Sequence, residues 1–165
     1  MSEKLNSSSL SHIDPSGNPS MVDVGDKNIT ERFAKAQAKV ILSDEILALL
    51  QGREIYTKKG AVFQTAIIAG TMAAKKTSDL IPLCHPIGLT GCKFDIQINE
   101  QKEVVIECTV KVSAQTGVEM EALTGATVAA LTIYDMCKAL SHYIVISEVK
   151  LLEKTGGKKD FKNEA

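Results

Sequence analysis

Tryptophan is absent from the sequence and aromatic residues make up only 4% of it, so the ring platforms on which single-stranded nucleic acids stack are missing. Positive charge is not in excess either: nineteen Lys and Arg face twenty Asp and Glu, a formal charge of −1. A dedicated nucleic-acid binder carries a net basic footprint, so no nucleic-acid partner is expected. No apolar run approaches the roughly 18–20 residues of a membrane span. The opening segment MSEKLNSSSLSHIDPSGNPS also lacks the apolar core of a secretory signal. These absences lead to the expectation of a cytoplasmic protein with no membrane partner. The four cysteines, Cys84, Cys92, Cys108 and Cys137, contain no C-x-x-C pair and read as reduced thiols. Cys84-His85 beside Cys92 matches no standard zinc spacing, and no metal site is expected. Walker A, G-x-G-x-x-G and nucleophile-elbow motifs are missing too, which disfavours ordinary ATPase, nicotinamide and serine-hydrolase chemistry.

What is present is 165 residues, 44% of them hydrophobic, enough for a single domain with its own core. Residues 1–20 are rich in Ser, Asn, Gly and Pro and read as a flexible arm. A folded domain is expected over 21–153, followed by a flexible basic tail over 154–165. Within the domain, Glu31 to Leu42 alternates with period two and predicts a strand. Ser43 is placed to cap a short helix that Gly52 ends. Ala61–Asp79 predicts a long helix rich in small residues, and Pro82 and Pro86 bracket a rigid loop holding Leu83, Cys84 and His85. Cys92–Asn99 and Glu103–Gln115 predict a hairpin. A second long helix follows Gly117, and Ile144–Glu153 closes the domain as a strand. This order predicts an α+β fold, a ferredoxin-like antiparallel sheet with helices packed on one face. The sheet's second face and the small-residue helices then call for burial in a homo-oligomer.

Several side chains invite chemistry. On the second long helix Thr124, Val128, Leu131, Asp135 and Lys138 share a stripe. Asp135 and Lys138 are either a surface ion pair or, if Val128 and Leu131 are buried, a carboxylate tuned for acid/base work. Glu119 and Glu121 are either ordinary first-turn acids favoured by the helix dipole or ligand-binding groups. His85, held between prolines, is a candidate for proton transfer; His12 and His142 have weaker cases. Lys58 and Lys59 precede the first long helix, whose N-terminus favours anions. Lys75 and Lys76 lie near its far end, about 24 Å away, too far for one phosphate chain to bridge within a subunit.

The segments MVDVGDK, KKGAVFQTAIIAGTMAAKKTSDLIPLCHP, TGVEMEALTGATVAALTIYDMCKAL and KTGGK closely resemble the molybdenum cofactor biosynthesis protein C family, the cyclic pyranopterin monophosphate synthases. The resemblance covers Met21 to about Phe161. It implies a hexamer, a trimer of dimers, with active sites at subunit interfaces. It also implies conversion of 3′,8-cyclo-7,8-dihydroguanosine 5′-triphosphate to cyclic pyranopterin monophosphate and diphosphate, in which a sugar hydroxyl attacks the α-phosphorus. By position, Asp135, Lys138, Lys59 and His85 take catalytic roles. Leu83, Cys84, His85, Glu119, Met120, Glu121 and Lys75 bind substrate, with Lys27 and Arg32 as further basic positions. No cofactor is required, with Mg²⁺ an option alongside the triphosphate. On chemistry alone, a partly desolvated lysine among other cations is expected to have a depressed pKa and to serve as acid or base near neutrality. A nucleotide sensor of the same fold is the competing class, since fold alone does not separate binding from turnover; a purely structural oligomer subunit is a third.

Overall fold

The period-two pattern of the first strand does what it demands of the backbone. In β1 (Thr30–Ile41), Ala34, Ala36, Ala38 and Val40 are wholly buried, while Lys35, Gln37 and Lys39 take the opposite face. The computed structural model describes residues 12–14 and 16–163. After β1 come a single helical turn, α1 (Asp44–Leu47), and three short strands, β2 (Leu50–Gln51), β3 (Glu54–Thr57) and β4 (Gly60–Ala61). The helices α2 (Val62–Ala74) and α3 (Thr77–Leu80) lead through the Pro-bracketed loop into the hairpin β5 (Gly91–Ile98) and β6 (Glu103–Ala114). Helix α4 (Glu119–Cys137) and strands β7 (Val145–Thr155) and β8 (Phe161–Lys162) complete the chain. The main sheet is antiparallel throughout, in the order β5-β6-β1-β7-β8. Helices α2 and α4 cover one face of it.

Those helices approach closely because glycine faces glycine. A side chain at Gly70 would strike the Phe94 ring and the Gly125 carbonyl, and one at Gly125 would strike the Cys108 sulfur. Alanines do the rest: Ala66 on α2 and Ala122, Ala126, Ala129 and Ala130 on α4 are fully buried. The small residues of the two helices therefore serve the contact between them and with the sheet. The sheet's other face carries ion pairs, with Lys35 2.6 Å from Glu107 and Lys39 2.7 Å from Glu148, beside exposed Ile41 and Val145.

Four sequence expectations are corrected. Gly52 does not end a helix: at φ +63° it turns β2 into β3, and α1 stops at Leu47. Ser43 sits at the N-cap, but its hydroxyl makes no capping bond. The first long helix breaks after Ala74, where the buried Thr77 hydroxyl donates back to the carbonyl of Ala74 at 3.1 Å and satisfies a helix end. Finally, the domain does not stop at Glu153. Lys154 and Thr155 continue β7 against Ala34 and Phe33, and Phe161 pairs back onto Lys154. Of the expected arm, residues 1–11 lie outside the described residues. Residues 16–18 close a turn on the Asp14 carboxylate, which accepts from the amides of Ser16 and Asn18.

The N-terminus of α2 is already occupied by an anion from within the chain. The Glu54 carboxylate accepts from the amides of Phe63 at 2.8 Å and Gln64 at 3.1 Å, satisfying donors that the helix leaves free. No room is left there for the phosphate that the preceding lysines suggested. Glu54→Ala is expected to destabilise the protein by about 1–2 kcal/mol, the cost of losing a cap, read as a lowered denaturation midpoint with an unchanged slope.

Candidate active site

A cavity of about 720 Å³ opens where the N-terminus of α4 meets the Pro-bracketed loop and the end of β7. Pro82 and Pro86 hold the loop non-helical and present Leu83, Cys84 and His85 to the cavity. The first turn of α4 supplies Glu119, Met120 and Glu121. Lys27 and Arg32 enter from the segment before β1 and from its first residues. Eight of the nine expected substrate-binding residues thus line one wall or another of the same space. Lys75 does not. It caps the C-terminus of α2, outside that cavity.

The two glutamates are in different states. Glu119 forms an ion pair with Lys154 at 2.8 Å. Glu121 is only 4% exposed, and burial, with a further push from the Glu119 charge, raises its carboxyl to a pKa of about 7. A neutral or half-neutral carboxyl beside a charged one can donate a hydrogen bond as well as accept one. Burial and the Glu121 charge also raise the Cys84 thiol, which keeps it protonated. The His85 Nε2 lies 2.8 Å from the Val22 carbonyl.

Asp135, Lys138 and Lys59 form a second cluster at the other end of α4. Lys138 Nζ is 2.7 Å from Asp135 Oδ1, and Lys59 Nζ is 2.9 Å from Oδ2. Lys59 comes from the two-residue turn between β3 and β4 and also donates to the Asp135 carbonyl, a group that a helix C-terminus leaves unsatisfied. Hydrogen bonds from Lys138 first and Lys59 second hold the Asp135 carboxyl down to a pKa of about 2. The same contact raises Lys138, so the depressed lysine pKa expected from the sequence is reversed here. The stripe carrying this pair is also not buried. Leu131 and Asp135 are exposed, because the alanines on the opposite side of α4 take the core. The two clusters stand sixteen residues apart on one helix, about 24 Å. Within one chain they do not meet.

Sequence reasoning gave little weight to the far wall. Lys154, Lys158 and Lys159 line the cavity, as does His12, so the basic run KTGGKK is part of the site. Its cue was the repetition of lysine around two glycines, which reads equally well as a solvated tail. Among the described residues, no group of three or more His, Cys, Asp or Glu side chains converges as a metal site, and no helix is long and apolar enough to cross a membrane.

An antiparallel α+β scaffold holding a cavity lined by two carboxylates, two histidines and several cations defines the class: a protein built to take a small molecule. Its family follows from comparison. The chain belongs to the MoaC family, whose profile matches residues 21–157. It is 51% identical over 160 residues to the cyclic pyranopterin monophosphate synthase of Xanthomonas campestris pv. campestris (strain 8004), a match covering 97% of each chain. It is 55% identical over 155 residues to the molybdenum cofactor biosynthesis bifunctional protein of Synechocystis, covering 92% of this chain and 45% of that one. It is also 49% identical over 171 residues to molybdenum cofactor biosynthesis protein 1 of Dictyostelium discoideum, covering 93% and 27% respectively.

Proposed function

We propose that this chain is a cytoplasmic lyase of molybdenum cofactor biosynthesis that forms cyclic pyranopterin monophosphate. Its substrate is 3′,8-cyclo-7,8-dihydroguanosine 5′-triphosphate, and diphosphate is released. The strand order β7-β1-β6-β5, with a helical crossover on either side of the central hairpin, supports a ferredoxin-like reading of the fold. The observation that carries the functional reading is the pairing, in one cavity, of two carboxylates with lysines and an arginine. Ring N–H groups of a guanine-derived base suit Glu119 and Glu121, and phosphate oxygens suit Arg32, Lys27 and the lysines of the KTGGKK segment.

Closing the cyclic phosphate requires a sugar hydroxyl to lose its proton and bond to the α-phosphorus as the α–β bridging P–O bond breaks, expelling diphosphate. Opening and reclosing the base needs further proton transfers. His85 stands in the cavity for one of these, and Asp135, Lys138 and Lys59 form the other acid/base group. We assign the chain no resident cofactor; Mg²⁺ would enter as the triphosphate's counter-ion.

Two clusters some 24 Å apart serve one substrate only if different subunits contribute them. The outer face of the helix layer supports this. Leu131 lies one turn from Asp135, and Leu131, Ile68 and Met72 are each more than half exposed, an apolar patch that marks a contact surface. A second protomer covering it would bring its own cavity to the Asp135 cluster, within a hexamer built as a trimer of dimers. Incubation with the cyclised triphosphate tests the activity: one diphosphate is expected per cyclic monophosphate formed, whereas binding without release would indicate a sensor.

A further inference from the structure

The cavity wall nearest His85 is a strap of chain, Val22 to Lys27, that belongs to neither sheet nor helix. Its internal bonds are few: the Asp23 carboxylate accepts from the Gly25 amide, and the Val24 carbonyl from the Lys27 amide. Gln115, just beyond β6, ties it to the body. Both protons of the Gln115 side-chain amide are used, one on the Gly25 carbonyl at 3.0 Å and one on the Lys27 carbonyl at 2.9 Å. The Gln115 main-chain carbonyl meanwhile accepts from Arg32 Nη2 at 3.3 Å. One residue therefore contacts the supports of Lys27, Arg32 and the strap that faces His85.

The strap's contact with His85 has a chemical consequence. A carbonyl oxygen only accepts, so the His85 nitrogen 2.8 Å from the Val22 carbonyl, Nε2, must be the one bearing hydrogen. In the neutral ring this leaves Nδ1 as the bare, proton-accepting nitrogen.

We propose that Gln115 is a positioning residue: by pinning the Val22–Lys27 strap it holds the Val22 carbonyl on His85 Nε2, so that His85 presents Nδ1 to the substrate. This rests on the cavity's being the substrate site. Little within the strap would hold it there, since Val22 and Val24 are half-exposed and only the Asp23–Gly25 and Val24–Lys27 bonds are internal to it. Displacing a reacting group by about 1 Å costs up to about 10²-fold in rate, so a loosened strap is expected to show in turnover before it shows in folding.

The test compares the ¹⁵N spectrum of the His85 ring, on the alkaline side of its own titration, in the wild-type chain, in Gln115→Met, which keeps the length but loses the donors, and in Gln115→Glu, which faces two carbonyls with an acceptor. The wild-type chain is expected to show a protonated Nε2 and a bare Nδ1. In either variant both signals are expected to move toward the averaged position of a mixed tautomer, with kcat falling by about tenfold and KM changing less than kcat. A proton on Nδ1 in the wild-type chain would overturn the proposal. So would variants that lose turnover with the ring signals unmoved, or move the signals with kcat unchanged. A wild-type chain that forms no product would instead overturn the functional reading, leaving the ring signals to judge the strap.

Discussion

Asp135→Asn is expected to lower single-turnover formation of the cyclic monophosphate by about 10²- to 10⁴-fold, the range of a lost acid/base group, with the fold intact. The substitution keeps the shape of the side chain and removes its charge. Lys138, whose ammonium form the carboxylate favours, returns toward ordinary lysine behaviour, while Lys59 keeps its bond to the carbonyl of residue 135. Exposed ion pairs contribute little to stability, so the thermal midpoint at neutral pH should hardly move. The acid limb separates the two proteins. Hydrogen bonds from Lys138 and Lys59 lower the Asp135 carboxyl to about 2 from its ordinary value of 3.8. Its ionised form therefore stabilises the fold above the unfolded value, and that contribution is lost as pH falls through about 2. Wild-type stability should therefore step down between about pH 4 and pH 2 while the variant shows no such step, so that the small gap between them closes by about pH 2. Full turnover by the variant would remove Asp135 from the chemistry.

Glu121→Gln is expected to do the opposite to stability. Burial raises the Glu121 carboxyl from 4.5 to about 7, so between those values the folded chain holds a proton that the unfolded chain has released. Wild-type stability should therefore fall as pH rises across that window and level off above it, by on the order of 3 kcal/mol in all. Glutamine has no proton to lose, so the variant should be the more stable protein at pH 8 and should show a flatter profile from pH 5 to 8. Denaturant unfolding at those two pH values reads the difference. Substrate binding should weaken at the same time by about tenfold or more, the worth of a charged hydrogen-bond acceptor. Stability profiles that run parallel would mean that Glu121 is not held in a desolvated site.

The long elements were legible because each repeats its pattern often enough to fix a period. Twelve residues of alternation define β1 and a similar run defines β6. The strands β2 and β4 are two residues each and carry no period at all, so Gly52 read as a helix stop when it is a turn. On α4 the larger apolar residues misled. Val128 and Leu131 look like core, but α4 packs over Phe94 and Cys108 through Gly125 and its alanines, which leaves Val128 half-buried and Leu131 exposed. That choice also carries Asp135 to the surface. At the site, LCHP and VEME were readable because prolines and paired acids are locally distinctive. The lysines of β7 and the following turn were not, because a Gly-Lys run has the composition of a loose end whether or not sheet pairing holds it. In the sequence, helix length separated Lys58 and Lys59 from Lys75 and Lys76; the separation of Glu121 from Asp135 along α4 emerged only with the fold.

Mixing two inactive variants tests the composite site most directly. Asp135→Asn removes the cluster at one end of α4, and His85→Ala removes a group from the cavity at the other. If one protomer's cavity faces another protomer's Asp135 cluster, chains of the two variants assembled together in equal amounts will regenerate intact sites at about one in four, the chance that each half comes from the unmutated source. Activity near a quarter of wild type, from two chains that are each inactive alone, is the predicted result. A mixture as inactive as its components, under conditions where mixed oligomers are shown to form, would contradict a site shared between subunits.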